Sequence, residues 1–185
     1  MDLGFRMHAE RTPNPNSIKW VLGQVVVEEV ASASFDASVS PEISPLAAPI
    51  AALEGVTGVL LGPNFVTVTK HADADWTALA APIVAAIKAW AARGESALGS
   101  AFEAPVSGDD DEIVARIRTI LERDVRPYVE QDGGEIRFAG YHDGIVEVVL
   151  QGACAGCPSS SVTLKLGIEA RLKDEIPEIR SVVAL

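Results

Sequence analysis

Cys154 and Cys157 are the two cysteines of the 185-residue chain. A two-residue gap lets both sulfurs converge on one metal ion or cluster, and it is equally the gap of a disulfide-exchange pair. Gly152 and Gly156 flank the sulfurs, so the backbone can approach a bulky centre without Cβ clashes. Pro158 suits the first position of a helix, which sets Cys157 at a helix N-terminus, where unpaired amides and the positive end of the dipole favour thiolate over thiol. Ser159, Ser160 and Ser161 can cap that end.

The number of ligands narrows the choice. A tetrahedral zinc site or an iron-sulfur cluster takes about four protein ligands, and one chain offers two thiolates. His142 sits in a hairpin turn, a strand away from Cys154, or about 20 Å at roughly 3.3 Å per residue. His8 and His71 belong to the other half of the chain. The economical arrangement is a two-fold dimer in which each copy gives two thiolates to a shared, exposed and releasable site. A thioredoxin-type pair would follow a strand early in its domain, usually behind an aromatic residue, whereas Ala153 precedes Cys154 and the motif comes late, after a hairpin. Metal or cluster binding therefore ranks ahead of disulfide exchange, with a thiol-disulfide oxidoreductase and a zinc-bridged dimer as the alternatives.

The elements that position the pair can be read from periodicity. Residues 109–185 give the order α-β-β-α-β. Ile113, Ile117, Ile120 or Leu121, and Val125 recur at helical spacing until Pro127 disturbs the end, and Asp132-Gly133-Gly134 closes it. Ile136 and Phe138 alternate in a strand, Asp143-Gly144 makes a tight turn, and residues 145–150 return. After the cysteines, Leu164, Ile168, Leu172 and Ile176 form one helical stripe, Pro177 stops it, and residues 179–183 make a last strand. Antiparallel pairing of the hairpin brings Asp132-Gly133-Gly134 beside residues 152–154. The Gly pair serves either close backbone approach or a turn that needs positive φ. Asp132, Gly133, Gly134 and Gly156 are therefore candidates for the shell around the sulfurs.

The first half reads as a second small α/β domain over residues 7–92, followed by a Gly-, Ser-, Ala- and acid-rich linker over 93–108. Ile18, Trp20 and Leu22 mark a strand that extends into residues 25–27, with another short strand over 34–38. Ser44-Pro45 opens a helix that carries Leu46, Ile50 and Leu53. Residues 57–61 and 65–69 form a hairpin around Gly62-Pro63-Asn64. Trp76, Leu79, Ile83, Ile87 and Trp90 trace the core stripe of a longer helix that Pro82 should kink. Thr12-Pro13-Asn14-Pro15-Asn16 reads as turn chemistry entering a strand rather than as a docking surface. The fold class is α+β, two small α/β domains joined by a flexible linker.

Charge excludes whole classes of partner. The formal net charge is −11, and each half has more acids than bases, so nucleic acid and anionic lipid surfaces are both repelled. No run of about 18 uncharged apolar residues marks a membrane helix. The opening Met1-Asp2-Leu3-Gly4-Phe5-Arg6 has no apolar core and carries an acid at once, which predicts neither a signal nor a transit peptide and hence a cytoplasmic protein.

Longer motifs carry a resemblance. Cys154-Ala-Gly-Cys157-Pro-Ser-Ser-Ser-Val-Thr-Leu-Lys-Leu-Gly-Ile-Glu169, with Asp132-Gly-Gly134 before it and Ile176-Pro-Glu-Ile179 after it, resembles the C-terminal domain shared by NifU and Nfu proteins. Thr12-Pro-Asn-Pro-Asn16, Ser44-Pro-Leu-Ala47 and Gly62-Pro-Asn-Phe-Val-Thr-Val-Thr-Lys70 are similar to the Nfu N-terminal domain and occur in the expected order. The resemblance implies a non-enzymatic carrier or scaffold that holds a [4Fe-4S] cluster between two subunits through Cys154 and Cys157. It further implies a homodimer when the cluster is bound, work alongside cluster-assembly proteins, and late delivery to apo iron-sulfur proteins. The N-terminal domain is implied to modulate recognition of targets and inherits no ligand.

Overall fold

Two sheets of different build organise the chain. The computed structural model describes residues 5–28, 30–104, 111–155 and 158–185, with the backbone alone over 158–161. The chain divides into two units, 1–104 and 105–185, each α+β with its own core.

In the first unit the strands are β1 (Met7–Arg11), β2 (Ser17–Leu22), β3 (Ala33–Asp36), β4 (Val56–Leu61) and β5 (Phe65–Lys70). They form one antiparallel sheet in the order β1-β2-β5-β4-β3. Helices α1 (Ala47–Ala51) and α2 (Trp76–Arg93) complete the unit. Leu79, Ile83, Ile87 and Trp90 of α2 are buried in one core with Trp20, Leu22, Val66 and Val68, as an apolar stripe at helical period requires. The helix continues through Pro82, which lies on the exposed side. Ala78, whose carbonyl loses its donor there, is exposed as well, so water can serve the group that Pro82 cannot.

Several expectations shift by a few residues for visible reasons. The strand expected to run into residues 25–27 stops at Leu22, because the Leu22 and Val26 amides turn to the carbonyls of Asn64 and Pro63. Val26 and Val27 are buried from irregular backbone instead. Ser44 is wholly buried; its hydroxyl accepts from the Ala47 amide at 3.0 Å and donates to the Ala97 carbonyl at 2.7 Å. The second bond exposes a difference at the linker expected over 93–108. Ala97 and Leu98 are buried in the first core and Phe102 packs edge-on to Phe35, so the chain stays attached to this unit through 102. Residues 105–108 of that stretch lie outside the described residues.

The Thr12–Asn16 turn is tied into the unit. Its Thr12 hydroxyl donates to the Asn14 and Ser17 carbonyls, and the Trp76 indole N–H donates to the Pro15 carbonyl at 3.1 Å. The buried Lys70 ammonium donates to Asn16 Oδ1 and to the His71 and Ala72 carbonyls, which offsets the cost of burying a charge.

In the second unit α3 (Glu112–Ile120) widens into one π-helical turn, Leu121–Val125, and resumes as α4 (Arg126–Gln131) with Pro127 in its first turn. The helix thus passes Pro127 by spending an extra residue, which is how a π-turn arises. Strands β6 (Gly134–His142) and β7 (Ile145–Gly152) pair antiparallel around Asp143 and Gly144, both at positive φ. Helix α5 (Pro158–Glu175) then crosses to β8 (Ser181–Ala184), which pairs parallel to β7. Ile117, Ile120, Ile136, Val148, Leu172 and Ile176 are among the buried residues of this core.

An ion cluster ties the π-turn to α5. Asp124 accepts from Arg123 at 2.7 and 2.8 Å and from Arg171 at 2.7 Å, and both arginines also reach Glu175. The Arg123 hydrogen bond, followed by that of Arg171, lowers the Asp124 carboxyl to about 2 from its ordinary 3.8. A depressed carboxyl contributes stability above its unfolded value and loses it as pH falls through its folded one. Asp124→Asn is therefore expected to lower the melting temperature of this unit near neutral pH, and the gap should close between about pH 4 and about pH 2. Melting curves of both proteins across that range check it.

Candidate functional site

The cysteine site is built where two connections of the second unit clasp. One leads from α4 into β6. Its Asp132 amide donates back to the Tyr128 carbonyl at 3.4 Å and Gly133, at φ +73°, donates to the Glu130 carbonyl at 3.0 Å. The other leaves β7 at Gly152, φ +65°, whose carbonyl accepts from Ala155 at 3.1 Å. They are joined by the Ala153 amide, which donates to the Gly133 carbonyl at 3.2 Å, and by the Gly134–Gly152 pair that ends the ladder.

Cys154 sits on this clasp and is buried, 7% exposed, as a member of the unit's core. A Cβ built on Gly134 would lie 2.3 Å from Cys154 Sγ, 3.1 Å from its Cβ and 3.2 Å from its amide nitrogen. No side chain fits there, so the glycine opens the space that the sulfur occupies. The two explanations of the Gly pair therefore both apply, to different residues: Gly133 supplies the positive φ and Gly134 the close approach. Asp132 ends α4 through its backbone, and its side chain is exposed. Gly156 and Cys157 lie outside the described residues.

Helix α5 begins at Pro158 and has no acidic residue in its first turn. Its N-terminal amides and dipole thus face no competing carboxylate of their own helix, which suits an anionic centre beside them. His142 stands at the far end of the nine-residue β6, opposite Ile145, which takes it away from Cys154. Among the described residues no group of three or more His, Cys, Asp or Glu can hold a metal ion.

Two features escaped the sequence. The Cys154 sulfur was expected at an exposed site and is set into a core; the signal was the Ala153-Cys154 step after a buried strand end, Leu150. On α5, Val162 and Leu166 are 60% and 61% exposed. They stand four residues apart and off the Leu164-Ile168-Leu172 stripe, so they share a second, solvent-facing side of the helix.

Comparison with known proteins agrees with this build. The family profile described as "NifU-like domain" matches residues 117–183, and the one described as "Scaffold protein Nfu/NifU N terminal" matches residues 7–94. The human protein named "NFU1 iron-sulfur cluster scaffold homolog, mitochondrial" is 40% identical over 179 residues, covering 95% of this chain and 70% of that protein. Two Arabidopsis thaliana proteins, "NifU-like protein 4, mitochondrial" and "NifU-like protein 5, mitochondrial", are each 42% identical over 183 residues; each alignment covers 95% of this chain, and 64% and 66% of the respective relatives. The chain thus spans between 64% and 70% of the length of these three relatives.

Two domains in this order, with a Cys-X-X-Cys sequence between a β-hairpin and the helix that follows it, define a NifU-type protein. The chain belongs to the Nfu family of scaffold proteins. The expectation of a cytoplasmic protein is corrected by the same findings, since the relatives are named as mitochondrial. It rested on the first residues, and targeting segments are removed from mature proteins, so an opening stretch does not carry a location. Among the described residues no helix is long and apolar enough to cross a membrane.

Proposed function

We propose that this chain is a carrier and scaffold for an iron-sulfur cluster, held as [4Fe-4S] between two copies that each give the thiolates of Cys154 and Cys157, and passed on to apo iron-sulfur proteins. The observation that carries the reading is the Gly134–Cys154 contact: a strand begins on a glycine because a cysteine sulfur takes the place of its side chain. Membership of the Nfu family and the names of its relatives support the cargo. The chain has two cysteines and a thiolate-ligated cluster takes about four protein ligands, which supports sharing between two copies. The exposed Val162 and Leu166, one and two turns into α5, supply apolar surface next to the motif for a second copy to cover.

The cluster is cargo, and the protein performs no bond-making on a substrate of its own. The N-terminus of α5 stabilises the negative charge of a thiolate-ligated cluster. Release proceeds by ligand exchange: a recipient thiolate bonds to iron as a carrier thiolate leaves and takes up a proton, with no change in oxidation state. The role is therefore non-enzymatic.

The test is transfer. Protein reconstituted anaerobically with iron and sulfide is expected to show the broad visible absorption of a thiolate-ligated cluster and to pass it to an apo-ferredoxin, a four-cysteine acceptor. A colourless protein that reduces disulfides, or that retains zinc in place of iron, contradicts the proposal.

A further inference from the structure

Helix α5 reaches over the free edge of the second unit's sheet. β8 is an outer strand with β7 on one side, and among the described residues no strand pairs with the other. The Ser181 and Leu185 amides donate to the Gly144 and Val148 carbonyls at 3.3 and 2.9 Å. In a parallel ladder this parity turns the main-chain groups of Ser181, Val183 and Leu185 toward β7, and it leaves the N–H and C=O groups of Val182 and Ala184 pointing outward. One of those outward groups is taken. The Val182 amide donates to Glu169 Oε2 at 3.0 Å, while Lys173, one turn further along α5, donates to Glu169 Oε1 at 2.5 Å. The Lys173 hydrogen bond, followed by that of the Val182 amide, holds the Glu169 carboxyl below its ordinary value, so the acceptor is anionic near neutral pH.

The strand itself carries none of the usual protection. Edge strands are commonly blunted by charge, proline or a bulge. Residues 181–185, Ser-Val-Val-Ala-Leu, include no charged residue, proline or glycine, and the β7–β8 register is unbroken. Val183 and Leu185 are exposed. The edge is also complementary to itself. Two copies of β8 run antiparallel about a two-fold axis at Val183 would set Val182 opposite the partner's Ala184, and Ala184 opposite the partner's Val182, as two hydrogen-bonded pairs. Val183 would meet the partner's Val183 between them, in the closer kind of cross-strand pair. Each outward donor then finds an outward acceptor. That pairing needs the Val182 N–H, which Glu169 holds.

We infer that Glu169 is a gate on the β8 edge: its carboxylate keeps the Val182 N–H from β8 of a second copy, so that the second unit does not extend its sheet by pairing with itself. A strand that added to this edge would have to break a hydrogen bond to a charged acceptor before making its own. A chain proposed to meet its copy at the cysteines is thereby kept from meeting it at β8, and the gate acts with or without a cluster.

The experiment follows native mass and amide hydrogen exchange of the full chain across a concentration series, cluster-free, with the cysteines reduced and an iron chelator present. The unaltered chain is expected to stay monomeric, with slow exchange at the Val182 amide and fast exchange at Ala184. Glu169→Ala should self-associate at least about tenfold more tightly, since the competing hydrogen bond is gone, and should protect the Ala184 amide as it does so. Glu169→Gln keeps an acceptor oxygen for Val182 and should associate less than Glu169→Ala. Ala184→Pro removes an outward donor while sparing the ladder to β7, a substitution that edge strands tolerate. Added to Glu169→Ala it should restore the monomer, which it would not do if association came from a loosened fold. A Glu169→Ala chain as monomeric as the unaltered one, equal association of the Ala and Gln variants, or association that survives Ala184→Pro would overturn the inference.

Discussion

Gly134→Ala is expected to strip the protein of bound iron and to destabilise its second unit. The added methyl would lie 2.3 Å from Cys154 Sγ, and the next atoms it meets are the Cys154 Cβ and amide nitrogen. The sulfur cannot swing aside cheaply, because Cys154 is buried in the core and its turn is pinned by the Ala153–Gly133 bond. Relief requires the two connections to separate, and overpacking of this kind costs about 1–3 kcal/mol. The same separation would move Cys154 away from the position proposed for ligation, and thiolate ligation requires the sulfur near 2.3 Å from the metal. Gly167→Ala is the matched control. Its methyl meets nothing within 4 Å on α5, so it should leave iron content unchanged and stabilise the helix by about 0.5–1 kcal/mol. Denaturant unfolding and iron content of the two variants side by side check the contrast.

Replacing either cysteine is expected to abolish cluster binding altogether. On the proposed sharing of two thiolates per copy, loss of one would leave the site two ligands short across a symmetric dimer. The variants differ in their effect on the fold. Cys154→Ser replaces a buried sulfur by a more polar hydroxyl, which costs more to take out of water. Burial of Cys154 at 7% is what brings the fold into the outcome. Cys154→Ala avoids the polar group and separates ligation from stability. Iron and sulfide content of Cys154→Ala and Cys157→Ser after reconstitution is the readout, and full loading of either variant would falsify the ligand assignment.

Much of this was legible because the second unit obeys local rules. Asp143-Gly144 sets the hairpin, the hairpin sets the register, and the register brings Gly134 to Gly152 and so to Cys154. What escaped the sequence has physical causes as well. β1, with Met7 its one large apolar residue, shows no alternation, since an edge strand buries little. Residues 97–102 have the composition of a linker, yet Ala97, Leu98 and Phe102 suffice to seal them onto the first core. The π-turn at Leu121–Val125 keeps Leu121 and Val125 buried across Pro127, a local change of period that a fixed 3.6-residue reading cannot follow. The burial of Cys154 depends on the absence of a side chain on a different strand, which no periodicity expresses.

The measurement that tests the central claim most directly is the native mass of the anaerobically reconstituted protein, with iron and sulfide determined on the same sample, before and after an iron chelator. The account predicts a dimer carrying roughly four irons per two chains that reverts to colourless monomer when the iron is removed. A full complement of cluster iron on a monomer, or an iron-loaded dimer that forms equally well from Cys154→Ala chains, would contradict it.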